Sequence, residues 1–142
     1  MKKLAIFVDG AVGDPHHAGI AAIALSSEGY FQGWLSRQLP GMTNNEAEYK
    51  AVLLGLELAR KLAIPTVEII SDSEVVVRQM LGLSRVQSDR LKQLHQQTCT
   101  QVAYFQSVNF RHVRREQNKL ADALAAEAMA GRMVQMGEQR RK

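Results

Sequence analysis

The chain has 142 residues, 46% of them hydrophobic and 23% charged, which is the size and the composition of one ordinary globular domain. Cys99 is its single cysteine, so an intramolecular disulfide is excluded and a reducing compartment, the cytoplasm, is expected. Eighteen Lys and Arg against fourteen Asp and Glu give +4, unevenly placed: residues 1–71 hold six basic and seven acidic side chains, residues 72–142 twelve and seven. A basic second half suits a polyanion such as nucleic acid without requiring one. Lys2-Lys3 before Leu4–Val8 has the start of a signal peptide, but Asp9 ends that run too early and no small-residue cleavage pattern follows. No stretch approaches the roughly 20 apolar residues of a membrane helix, so no membrane partner is expected.

Leu4–Val8 is a continuous apolar run, the mark of a strand covered on both faces, and Asp9 terminates it. A Gly/Pro/His loop, Gly10–His17, leads to a second strand at Ala18–Ser27, a hairpin turn at Ser26–Gly29 and a more polar third strand at Tyr30–Gln38. Pro40-Gly41 is a turn. Thr43-Asn44-Asn45 supplies capping chemistry for a helix from Glu46 to Leu62, which stops before Ile64-Pro65. Thr66–Ser71 is a fourth strand, Asp72-Ser73 caps a short helix to Leu81, Gly82–Ser88 is a linker, and Asp89–Gln101 is another helix. Phe105–His112 is a fifth strand, and Asn118 caps a final Ala-rich helix ending near Gly131. Residues 1–131 are therefore expected to form one α/β domain: an antiparallel meander, then strands returned by helices to the same sheet. Residues 132–142, weakly periodic and ending Arg140-Arg141-Lys142, are expected to be a frayed basic tail.

The informative residues are acids in apolar places. Asp9 and Asp72 each end a buried strand, and in open α/β sheets ligands bind beyond the carboxyl ends of strands. Either acid alone is equally at home as a turn residue or an N-cap. Glu48 is different, because at 100° per residue it shares a stripe with Val52, Gly55 and Ala59. A buried carboxylate is costly without a partner. Glu46 lies on the opposite face, four residues before Lys50, and Glu57 stands likewise before Lys61; both read as surface pairs. Asp122 lies over Ala126 and Met129 in the last helix, where an acid in the first turn also complements the helix dipole. If the four acids converge they repel unless metal sits among them, and carboxylates are what magnesium or manganese prefers. Two such ions can clamp the attacking and leaving oxygens of a phosphodiester.

Phe7-Val8-Asp9-Gly10-Ala11, Thr43-Asn44-Asn45-Glu46-Ala47-Glu48-Tyr49, Ser71-Asp72-Ser73-Glu74 and His112–Asp122 resemble, in order, the four signature blocks of type 1 ribonuclease H, over residues 7–122. The resemblance implies a ribonuclease H-like fold, a five-stranded mixed sheet flanked by helices, in which Asp9, Glu48, Asp72 and Asp122 hold two Mg2+ ions, with Mn2+ as a substitute. It implies an endoribonuclease that cuts the RNA strand of an RNA–DNA hybrid, leaving a 5′-phosphate and a 3′-hydroxyl. By motif, Thr43 matches a residue that bonds a DNA phosphate, and Asn44 and Asn45 match asparagines at the hybrid's minor groove. Ser73 and Asn118 match further nucleic-acid-side positions, Asn118 also organising its loop. His112, ten residues before Asp122, matches a loop histidine that serves water activation or product release.

The chain departs from the family in two places. Its first loop reads Gly13-Asp14-Pro15-His16-His17, which puts an acid near expected phosphates. Nothing in the spacing of His16, His17, His95 and Cys99 fixes a tetrahedral set, so they are not expected to be transition-metal ligands. Fifty positions separate Asp72 from Asp122, too few for the Lys- and Trp-rich helix that longer members insert, and a hybrid-binding module ahead of the domain is not expected. The compact form would then lean on Arg78, Arg85, Arg90 and Lys92, which read equally as a solvated face. A monomer without an obligate protein partner is expected. The alternatives are a catalytically silent nucleic-acid-binding module of the same fold, or a related nuclease preferring double-stranded RNA.

Overall fold

The computed structural model describes residues 3–131; the expected basic tail lies outside them. Five strands form one sheet in the order β3-β2-β1-β4-β5. Strands β1 (Lys3–Asp14), β2 (His17–Ser26) and β3 (Phe31–Pro40) make the antiparallel meander. Strands β4 (Thr66–Ser71) and β5 (Ser107–His112) add parallel to β1 and to one another. Helix α1 (Asn44–Leu62) returns the chain from β3 to β4, and α2 (Glu74–Met80) and α3 (Asp89–Val102) return it to β5. A single 3-10 turn, Arg115–Gln117, then leads into α4 (Lys119–Met129). The mixed α/β architecture is the expected one. No helix among the described residues is long and apolar enough to cross a membrane.

Strand alternation divides the core. Leu4, Ile6 and Val8 of β1 join Val52, Leu56 and Ala59 of α1 and Leu94 of α3 in one buried cluster on the first face. Their odd-numbered neighbours face α4, which packs so tightly that a Cβ on Gly19 would collide with the backbone of Ala125 and Met129. Gly10 does the same for α1: a Cβ there would lie 2.6 Å from the Ala47 carbonyl. That contact brings the first turns of α1, and Glu48 with them, down onto β1.

The hairpin turn at Ser26–Gly29 is present, with Gly29 at φ 90°. Ala63, in the left-handed region at φ 57°, closes α1 just before Ile64-Pro65. One boundary differs in a way that matters. β1 does not end at Asp9 but continues to Asp14, pairing Asp9 with Ala21 and Ala11 with Gly19 of β2. Gly10–His17 reads locally as a loop, whereas a paired neighbour keeps all of it but the Pro15-His16 turn in strands. Asp14 closes the hairpin, accepting from the His16 N–H at 2.8 Å and pairing with His17 Nδ1 at 3.0 Å. These contacts, the His16 N–H first, lower its pKa.

Two expected surface pairs are also corrected. Glu46 is buried: with Thr43 it forms a capping box, and its other oxygen takes Arg90 Nη1 at 3.0 Å rather than Lys50. Glu57 is gripped through both oxygens by Arg37 of β3, with Lys61 adding only attraction at a distance.

Candidate active site

Asp9, Glu48 and Asp72 come together. One carboxylate oxygen from each lies within 4.8 Å of the others. The meeting point follows from unequal strand lengths. β4 stops at Ser71, opposite Val8, while β1 runs on. Asp9 therefore sits just past the end of its parallel neighbour, and Asp72 follows β4 directly. Glu48 reaches them from the second turn of α1, its Oε1 accepting from the Gly10 N–H at 3.1 Å. Asp9 is 3% exposed and Glu48 6%; Asp72 is half-buried. Asp122, half-buried in the first turn of α4, lies outside that group of three but near enough to Asp9 to help raise its carboxyl pKa.

Electrostatics record the crowding. Burial first, then the charge of Glu48, the hydrogen bond to Asp122 and the charge of Asp72 push the Asp9 carboxyl up to about 9. Burial and Asp72 push Glu48 up to about 7, against the opposing pull of the Gly10 N–H and of the Arg115 guanidinium. Carboxyls perturbed in this way cluster at functional sites. The donor set is all carboxylate oxygen, hard and multiply charged, which fits Mg2+ or Mn2+ and not a soft transition metal. Among the described residues this is the one group of three or more His, Cys, Asp or Glu side chains close enough to share an ion. His16 and His17 therefore form no such group with His95 and Cys99.

The remaining expected residues fall on either side of this centre. His112 is exposed at the end of β5, in register with Ser71. Thr43 is the N-cap of α1, and its hydroxyl oxygen accepts from the Glu46 N–H at 3.2 Å. Asn44 is exposed and Asn45 half-buried in the same turn. Ser73 caps α2 by accepting from the Val76 N–H at 3.3 Å. Asn118 stands at the head of α4 but makes no side-chain cap; it is 2% exposed and turned inward. Arg85 and Lys92 are exposed. Arg90 is tied to Glu46, and Arg78 is held to Ser84 Oγ at 3.0 Å. Arg115 was not foreseen. Its signal was a cation inside the His112–Asp122 block, opposite acids that sequence had already aimed at one place.

The profile of the family described as Reverse transcriptase-like matches residues 7–128. Over 129 residues the chain is 35% identical to the "Bifunctional protein Rv2228c" of Mycobacterium tuberculosis, covering 89% of this chain and 35% of that protein. It thus spans about a third of the length of that relative. It is 30% identical over 124 residues to "Ribonuclease HI" of Halobacterium salinarum, covering 87% of this chain and 62% of the relative. Among solved structures, RNase H1 from H. salinarum matches with a TM-score of 0.88 at 27% identity, over 92% of this chain and 99% of that one. LC11-RNase H1 in complex with RNA/DNA hybrid matches with a TM-score of 0.82 at 34% identity, over 90% and 97%.

Proposed function

Because the chain belongs to the type 1 ribonuclease H family, in the compact form without a basic protrusion, we propose that it is a metal-dependent endoribonuclease acting on RNA–DNA hybrids. It cuts the RNA strand and leaves 5′-phosphate and 3′-hydroxyl ends. The observation that carries this reading is the convergence of Asp9, Glu48 and Asp72 within 4.8 Å at the end of β4, with Asp122 beside Asp9.

Those four carboxylates hold the ions. Mg2+ when bound, two per site and replaceable by Mn2+, supplies the Lewis acidity that polarises water and the scissile phosphodiester. The chain's own residues do the rest. Burial of Asp9 and Glu48 keeps bulk water from screening the charges that develop during displacement. His112, exposed beside Asp72's strand, carries a proton to or from the reacting oxygens or the departing product. Thr43 uses its hydroxyl oxygen as a cap acceptor and so keeps its O–H free to donate to a DNA phosphate. Asn44 and Asn45 read the shallow minor groove, where the 2′-hydroxyl separates RNA from DNA. Ser73 adds a contact near the cut, and Arg78, Arg85, Arg90 and Lys92 supply charge along the backbone. The protein works as a cytoplasmic monomer.

An end-labelled cleavage assay on hybrid, double-stranded RNA, double-stranded DNA and single-stranded RNA, in Mg2+, Mn2+ or chelator, tests this. Hybrid cleavage in metal and none in chelator is expected. Hybrid binding without cutting in any metal would make the chain a silent module, and preferential cutting of double-stranded RNA would reassign its substrate.

A further inference from the structure

Past Ser71 the edge of β1 has no strand beside it, because Val8 is the last residue of β1 paired with β4. Backbone groups of alternate strand residues face the same neighbour, so Val8 and Gly10 both turn toward the vacated edge. Side chains satisfy each of them. Glu48 Oε1 accepts from the Gly10 N–H at 3.1 Å, and Asn118 Nδ2 donates to the Val8 carbonyl at 2.9 Å. The same Nδ2 lies 3.4 Å from Asp72 Oδ2, and the Asn118 carbonyl accepts from the Asp122 N–H at 3.0 Å. One residue therefore touches the strand of Asp9, the carboxylate of Asp72 and the turn that carries Asp122. Capping does not explain the side chain, which makes no cap bond. Nor does surface recognition, since the side chain is buried and its Oδ1 has no protein partner. A buried acceptor left unpaired costs stability, so the amide is kept for what Nδ2 holds.

We propose that Asn118 is a positioning residue for the acid site, an amide that replaces the missing ladder partner of Val8 and pins Asp72 and the start of α4 to β1. Resting on the metal-site reading above, this assigns to Asn118 the preorganisation of the carboxylates before an ion arrives. Its donor holds Asp72 Oδ2 and so restrains that carboxylate beside Asp9 and Glu48. Partners that orient ligands in this way change metal affinity or turnover by about 10- to 100-fold when lost.

The test measures melting temperature against Mg2+ concentration, together with kcat and KM on hybrid, for the parent and Asn118→Ala. The Mg2+ midpoint is expected to rise at least about tenfold, and kcat at saturating Mg2+ to fall about tenfold with KM within about twofold. A lower melting temperature at every Mg2+ concentration, with the parent midpoint and kcat, would mean that Asn118 only supports the fold and would overturn the proposal. If the alanine variant does not fold, Asn118→Asp keeps the shape and replaces the donor with an oxygen. Its kcat is expected to fall by at least the same factor, and parent-like turnover would equally overturn the proposal. If the parent itself cuts no hybrid, the catalytic reading fails alone, and the Mg2+ midpoint still decides the role of Asn118.

Discussion

Replacing Asp9 with asparagine separates chemistry from stability. In the metal-free protein at neutral pH, the Asp9 carboxyl, pushed up to about 9, keeps a proton that the unfolded chain releases near 3.8. Holding that proton from 3.8 to neutrality costs about 1.4 kcal/mol per pH unit, or about 4 kcal/mol in all. Burial is the largest cause of that cost and the charge of Glu48 the next; because the proton is shared with a coupled neighbour, about half, roughly 2 kcal/mol, belongs to Asp9 alone. Asparagine is neutral and nearly isosteric with the protonated acid. Asp9→Asn in chelator should therefore melt about 5 °C higher than the parent, at roughly 2–4 °C per kcal/mol for a chain of this size. Mg2+ should reverse the order. At about 100 times its dissociation constant an ion stabilises the protein by about 2.7 kcal/mol, a gain the parent receives and the variant largely loses. Hybrid cleavage by Asp9→Asn should fall below detection. Melting curves and one cleavage assay, each with and without Mg2+, check all three outcomes. A variant that melts lower than the parent in chelator and still cuts hybrid would refute the shared four-acid site.

The same shifts give the metal-free parent a pH dependence. Folded Asp9 and Glu48 hold protons up to about 9 and about 7, where the unfolded chain releases them near 3.8 and 4.5. The native state binds more protons across that window, so urea midpoints in chelator should fall as pH rises from about 5 to about 9, and Asp9→Asn should flatten the slope. His112→Ala should lower kcat more than it changes KM, because the side chain is exposed and supports little of the fold; an effect confined to the melting temperature would make it structural. Alanine at Arg78, Arg85, Arg90 or Lys92 should weaken binding to hybrids of different sequence alike and make the salt dependence shallower for each true phosphate contact. Arg90→Ala should also cost up to about 1 kcal/mol from its pair with Glu46, in which the arginine is largely exposed and the glutamate buried. Four variants with the parent's slope and affinity would return these residues to a solvated face.

Much of this site was legible locally. The apolar run Leu4–Val8 and the apolar residues Val67, Ile69 and Ile70 place Asp9 and Asp72 at the same end of a buried sheet, because strand period and burial are written in neighbouring residues. The stripe of Glu48 with Val52, Gly55 and Ala59 aims that carboxylate inward for the same reason, and Val52, Gly55 and Ala59 are indeed buried. Errors arose where the deciding partner is distant in sequence. Gly10–His17 carries every local mark of a loop, yet pairing with β2 keeps most of it in a strand. Glu46 lies opposite Glu48 on the helix and still is buried, because Arg90, 44 positions away, closes over it. Asn118 reads as a cap until Val8, 110 positions away, claims its amide.

By itself, then, the sequence determined the order of the elements and which side chains are acids on apolar surfaces, since both depend on periodicity along one segment. Only the tertiary structure decided that β4 stops one residue short of Asp9, that Glu48 and Asn118 fill the edge it leaves, and that the carboxylates stand close enough to raise one another's pKa. Strand pairing, desolvation and charge repulsion act across space, between groups that no local window of the chain contains.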